Sequence, residues 1–131
     1  MPLAPNGFPR SLRLVKAEDF KQVFANASKS SDALLCVLAR TNGLDAPRLG
    51  LAISKRNVRK AADRNRIKRI SRESFRLNQH QLAGLDFVIM ARAPAIQADH
   101  EKLFRSLQRH WDSLVTQCKG SWSASSSSTA T

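Results

Sequence analysis

The chain has 131 residues, room for one domain, and 42% of them are hydrophobic, enough for a modest core. Against ten Asp and Glu stand 22 Lys and Arg, a formal net charge of +12. No apolar run approaches the ~20 residues of a membrane span, so the excess charge points to a polyanionic partner and away from a membrane protein.

Residues 1–16 are basic and carry Pro2, Pro5 and Pro9 without the apolar stretch of a secretory signal. The segment is expected to be extended along the domain, and the expected compartment is the cytoplasm. A short helix is predicted over residues 17–26, with Phe20, Val23, Phe24 and Ala27 at helical spacing. Glu18 and Asp19 in its first turn suit the helix dipole. Residues 33–40 (ALLCVLAR) form a continuous apolar run and read as a buried strand. Asn42-Gly43 and Pro47 mark a turn. Residues 48–54 (RLGLAIS) alternate, with Leu49, Leu51 and Ile53 on one side. They predict a second strand forming an antiparallel hairpin with the first.

A long helix is predicted over residues 58–79, and Gly84 breaks the pattern. Residues 85–91 (LDFVIMA) predict a third strand, ended by Pro94. The last helix is predicted over residues 99–118, its apolar face made of Leu103, Leu107, Trp111, Leu114 and Cys118. Gly120 is the expected stop. Residues 120–131 are almost all Ser, Ala and Thr, a composition that predicts a disordered tail. The order α-β-β-α-β-α predicts one α+β domain over residues 17–119, a small sheet in two layers with helices.

Protein-side catalytic chemistry finds no support in the residues. Cys36 and Cys118 sit in apolar patterns and read as buried small hydrophobes, not as a disulfide, metal site or nucleophile. His80, His100 and His110 do not cluster with them at ligand spacing. There is no HExxH, no phosphate-cradling glycine loop and no tight carboxylate group.

The charge is concentrated in residues 54–76, SKRNVRKAADRNRIKRISRESFR, which carry +8 of the +12. Such a concentration on one element is a nucleic-acid footprint. Ile67, Ile70, Ser74 and Leu77 are expected to face the sheet. Arg64, Lys68, Arg72 and Arg76 recur every four residues, with Asn65 and Arg69 beside that row. Like charges at this spacing cost roughly 0.2–0.5 kcal/mol per pair, and only Asp63 and Glu73 are placed to relieve them. A row of guanidinium and ammonium groups suits a line of phosphates. Asn65 can read a base edge or a 2′-hydroxyl, or can bond the local backbone. The flanking strands argue against a helix-turn-helix DNA reader.

Residues 48–76 resemble the signature region of the bacterial ribonuclease P protein family. The Arg64-Asn65-Arg66 run followed by Ile67-Lys68-Arg69 is its centre, preceded by Ser54-Lys55-Arg56. The early helix with Phe20 and Phe24, the strand over residues 87–92 and the closing helix extend the resemblance over residues 8–118. It implies a ribosomal protein S5 domain 2-like fold with a left-handed β-α-β crossover, against the usual hand. It also implies an endoribonuclease whose catalyst is an RNA. That RNA, with Mg²⁺ held mainly by RNA and substrate and by no dedicated protein site, cuts precursor tRNA to form the mature 5′ end. One protein per catalytic RNA is implied. Lys55, Arg56, Arg59, Arg64, Asn65, Arg66, Lys68, Arg69, Arg72 and Arg76 become the RNA contacts. Phe20 and Phe24 become contacts to the single-stranded 5′ leader. Their spacing alone equally suits a helix packing on a core. The first strand lacks the aromatic that some family members carry, and the chain has no tyrosine. Leader stacking therefore falls to the two phenylalanines. A ribosomal or other structural RNA-binding protein is the alternative that the charge and fold class leave open.

Overall fold

The computed structural model describes residues 23–25 and 27–127, with side chains through Lys119. Residues 23–25 are helical, as expected; Phe20 and the rest of the predicted first helix, with the N-terminal segment, lie outside the described residues. Four strands follow in one sheet: β1 (Ser28–Ser31), β2 (Leu35–Thr41), β3 (Arg48–Leu51) and β4 (Leu85–Ala91). The helices are α1 (Ala61–Leu77), a short α2 (Gln79–Leu82) and α3 (His100–Ser127). A 3₁₀ turn, Ala93–Gln97, links β4 to α3.

The sheet order is β1-β2-β4-β3, and this corrects the expected hairpin. β2 and β3 do not pair. β4 inserts between them, antiparallel to β2 and parallel to β3, with Val37 opposite Ile89 and Leu49 opposite Phe87. The reason lies in burial. Leu85 to Ile89 are buried on both faces, and a strand apolar on both faces stabilises most at the centre of a sheet. The β3-α1-β4 unit is thus a β-α-β crossover between adjacent parallel strands. β3 is also shorter than predicted, although the Ala52 N–H still donates to the Ile89 carbonyl at 2.8 Å.

The fourth strand, β1, was not predicted. Its sequence SKSS carries no apolar signal, and it alternates between half-buried and exposed positions at the sheet edge. A polar edge strand of this kind discourages pairing with other chains.

Two apolar clusters sit on opposite faces. Leu35, Val37, Ala39, Phe87 and Ile89 face the helices and meet Ile67, Ile70, Phe75, Leu103, Leu107, Trp111 and Leu114. The neighbours Leu38 and Val88 face the other way and pack with Val23. Phe75, Phe87 and Trp111 make mutual edge-to-face contacts, with centroids 5.1–6.1 Å apart. Ring pairs of this geometry add about 0.5–1.5 kcal/mol beyond their burial. The Trp111 Nε1–H donates to the Ser74 Oγ at 2.9 Å, which explains a serine on the buried face of α1.

Leu77 departs from its predicted role: it is 61% exposed, and Phe75 and Ser71 fill the inward face instead. α1 ends at Leu77, where the Asn78 N–H turns back to the Phe75 carbonyl. The backbone of α3 runs on through Gly120 to Ser127 rather than stopping at the glycine. A glycine inside a helix costs about 1 kcal/mol relative to alanine, too little to end a helix alone.

Candidate nucleic-acid interface

The basic segment begins in the turn after β3. Val58 is fully buried and anchors it. The Asn57 side chain donates to the Ala91 carbonyl at 3.1 Å, and the Asn57 N–H donates to the Ser54 Oγ at 3.2 Å. Lys55, Arg56 and Arg59 project from this fixed turn and are exposed. Arg64 reaches back from the first turns of α1, donating to the carbonyls of Val58 (2.9 Å) and Arg59 (2.7 Å). Arg66 reaches the other way, donating to the carbonyls of Ile96 (3.0 Å) and Ala95 (3.4 Å) in the 3₁₀ turn. These two arginines brace the N-terminal half of α1 on either side.

Between them Asn65 is exposed, and Arg69 and Arg76 continue its line. Lys68 and Arg72 are half-buried flanks, and Arg72 already has an interaction within the chain. The structure therefore turns the row that the four-residue spacing suggested. Each residue of an α-helix advances about 100°, so four residues overshoot a full turn by about 40°. From Arg64 to Arg76 the drift reaches about 120°. The outward line is Asn65, Arg69 and Arg76, and Arg64 lies well off it.

The opposite sheet face has different chemistry. Leu38 and Val88 form its floor, with Met90 and Ala27 partly buried around them and Val23 packed on top. Phe24, next to Val23, is 48% exposed. Asp86 is buried at the end of this face, where the Arg48 guanidinium holds it with two bonds of 2.9 and 2.8 Å. The Asn42 side chain donates to the same carboxylate at 2.9 Å. This pair locks β3 against β4, and the register places Arg48 opposite Asp86.

A second polar group joins β1 to α3. Asp32 accepts from the Leu34 and Leu35 N–H groups and from the Ser106 hydroxyl at 2.6 Å. Burial alone would raise its pKa. The Ser106 and backbone bonds and the nearby His110 outweigh burial and hold the carboxyl well below the usual range. His110 is 2% exposed; its Nδ1 lies 2.7 Å from the Ser30 Oγ and its Nε2 3.2 Å from Asp32, not aligned for a hydrogen bond. Burial pulls its pKa down, and the Asp32 charge opposes this only in part.

Neither Cys36 nor Cys118 is in a disulfide, and the first is buried, as its apolar setting suggested. Among the described residues no group of three or more His, Cys, Asp and Glu converges to hold a metal ion. The half-buried carboxylate of Asp32 and the buried one of Asp86 are taken by partners of this chain. No helix among the described residues is long and apolar enough to cross a membrane. α3 carries cations of its own outside the basic segment. Lys102, Arg105 and Arg109 are exposed on one side of that helix, at a three-then-four spacing visible in the sequence.

Comparison with known proteins agrees with this architecture. The family model described as Ribonuclease P matches residues 8–115. The ribonuclease P protein component of Methylococcus capsulatus is 55% identical over 115 residues, covering 88% of this chain and 90% of the relative. That of Thioalkalivibrio sulfidiphilus is 49% identical over 112 residues, covering 86% and 93%. The solved ribonuclease P protein of Staphylococcus aureus superposes with a TM-score of 0.72 at 27% identity, covering 77% of this chain and 93% of the other. The Thermotoga maritima protein gives 0.62 at 33% identity, covering 74% and 96%. The chain belongs to the ribonuclease P protein family, and its α+β fold is that family's fold.

Proposed function

We propose that this protein is the protein subunit of a ribonuclease P and promotes endonucleolytic removal of the 5′ leader from precursor tRNA. The observation that carries the reading is the outward line Asn65, Arg69 and Arg76 on a helix braced by Arg64 and Arg66, in a chain of this family. Arginines fixed on a rigid helix engage phosphates with little ordering cost. In this reading α1 and the turn bearing Lys55, Arg56 and Arg59 hold the catalytic RNA. The opposite sheet face, with its apolar floor and the half-exposed Phe24, takes the single-stranded leader. A ring that is half exposed can still stack on a base.

Hydrolysis of the phosphodiester is assigned to the RNA subunit, with Mg²⁺ held by RNA and substrate. The protein's part is to bind, to orient the leader and to neutralise phosphate charge. The cytoplasm, where precursor tRNA is processed in bacteria, is the corresponding compartment.

The test is the identity of the RNA that the protein retains from cells. Recovery of ribonuclease P RNA is expected. Recovery of ribosomal RNA alone would favour a structural RNA-binding protein and overturn the reading.

A further inference from the structure

The cations of α3 line a groove of about 460 Å³ with the turn between β1 and β2. One wall is Lys102, Arg105 and Arg109; the other is Asp32, Ala33 and Leu34. Lys102, Arg105 and Arg109 lie on one side of the helix and span about 10 Å of its axis. One nucleic-acid strand carries about three phosphates over that length. The acids nearby offset this charge only in part. Asp32 accepts from the Ser106 hydroxyl and two backbone N–H groups, and Arg109 donates to it at 3.3 Å, so this carboxylate offsets Arg109 and leaves Lys102 and Arg105. Glu101 meets Arg105 only at 3.9 Å, with both side chains mostly exposed. Such a pair contributes little and gives way readily to a phosphate.

The 3₁₀ turn links the groove to α1. Arg66 of α1 is bonded to the 3₁₀ turn. The exposed Arg92 immediately precedes that turn, and its N–H donates to the Leu34 carbonyl at 2.8 Å in the groove wall. Exposed Arg92 thus sits between the turn that Arg66 holds and the groove wall, beside the exposed His100–Glu73 contact of 3.4 Å.

We propose that this groove is a second phosphate-binding track for the same catalytic RNA that α1 engages. The inference rests on the RNA-binding role of α1 and extends it. A strand or helix edge of that RNA leaving α1 meets Arg92, Lys102 and Arg105 in turn. The protein then grips its RNA on two sides of one corner, and each contact raises the effective concentration for the other.

The test is a salt titration of binding to ribonuclease P RNA for three proteins: wild type, Lys102→Ala with Arg105→Ala, and Arg69→Ala with Arg76→Ala. Both α3 side chains are exposed, and urea midpoints check that the fold is kept. Each lost phosphate contact lowers the log–log salt slope by about 0.7–0.9, so the α3 pair is expected to lower it by about 1.4–1.8. A wild-type slope for the α3 pair, with a flattened slope for the α1 pair, overturns the second track and leaves the α1 reading intact. Unchanged slopes for both overturn both. A slope change with precursor tRNA but not with ribonuclease P RNA assigns the groove to the substrate and overturns the proposal.

Discussion

Replacing Arg69 and Arg76 by alanine separates the proposed binding surface from its braces. Both side chains are exposed, and neither has a hydrogen bond or ion pair among the described residues. Arginine and alanine are both good helix formers, so folding stability is expected to stay within about 0.5 kcal/mol of wild type. RNA binding is expected to change much more. Two lost phosphate contacts lower the salt slope by about 1.4–1.8. Between about 50 and 200 mM salt, wild type then loses roughly 7–12 times more affinity than the variant. Arg64→Ala is the contrast. It removes two charge-assisted bonds to backbone carbonyls, at 2.9 and 2.7 Å, from the turn that presents Lys55, Arg56 and Arg59. These bonds are half-exposed, so the loss is about 1–2 kcal/mol. Fluorescence anisotropy across a salt series and urea unfolding measure the two effects. An unchanged slope for Arg69→Ala with Arg76→Ala, or wild-type stability for Arg64→Ala, would refute this division of labour.

Phe24→Ala is expected to weaken binding of precursors with a leader by about 5–150-fold per lost stack, at roughly 1–3 kcal/mol, and to spare leaderless tRNA. Equal losses on both substrates would assign the ring to packing. Asp86→Ala leaves the Arg48 guanidinium without its buried partner and is expected to destabilise by roughly 2–4 kcal/mol in urea, somewhat below a fully buried pair because Arg48 is part-exposed. A loss under 1 kcal/mol would show that the pair does not lock β3 to β4. His110 and Asp32 both have lowered pKa values in the fold, so at low pH the unfolded chain binds the extra protons. Stability is therefore full above the unfolded histidine value of about 6.5 and falls below it, with Asp32 adding a further loss below about pH 4. His110→Gln should flatten the first decline in urea midpoints between pH 7 and 5. A decline that persists unchanged would place its origin elsewhere.

Much of the fold was legible in the sequence, for identifiable reasons. β4 was found at its observed bounds because its apolar run is bracketed by Gly84 and Pro94. α3 was found because Leu103, Leu107, Trp111 and Leu114 repeat at helical spacing. Strand pairing was not legible. The short loop at residues 42–47 suggested a hairpin, but pairing is decided by long-range burial, and β4 is the strand most apolar on both faces. β1 carries no apolar signal, so its place at the edge depends on backbone bonds to β2. At the basic helix, residue types located the candidate interface, yet the regular four-residue spacing hid the drift of the helix. The bonds from Arg64 and Arg66 to carbonyls are invisible without coordinates. The α3 cations were overlooked because the far denser charge in residues 54–76 dominated the reading.

Reconstitution is the most direct test of the central claim. The protein is added to ribonuclease P RNA at low Mg²⁺, and cleavage of precursor tRNA at the mature 5′ end is measured. The account predicts little cleavage by either component alone, and cleavage that rises on mixing and weakens with the Arg69 and Arg76 substitutions. Cleavage by RNA-free protein, or no gain on mixing, would contradict it.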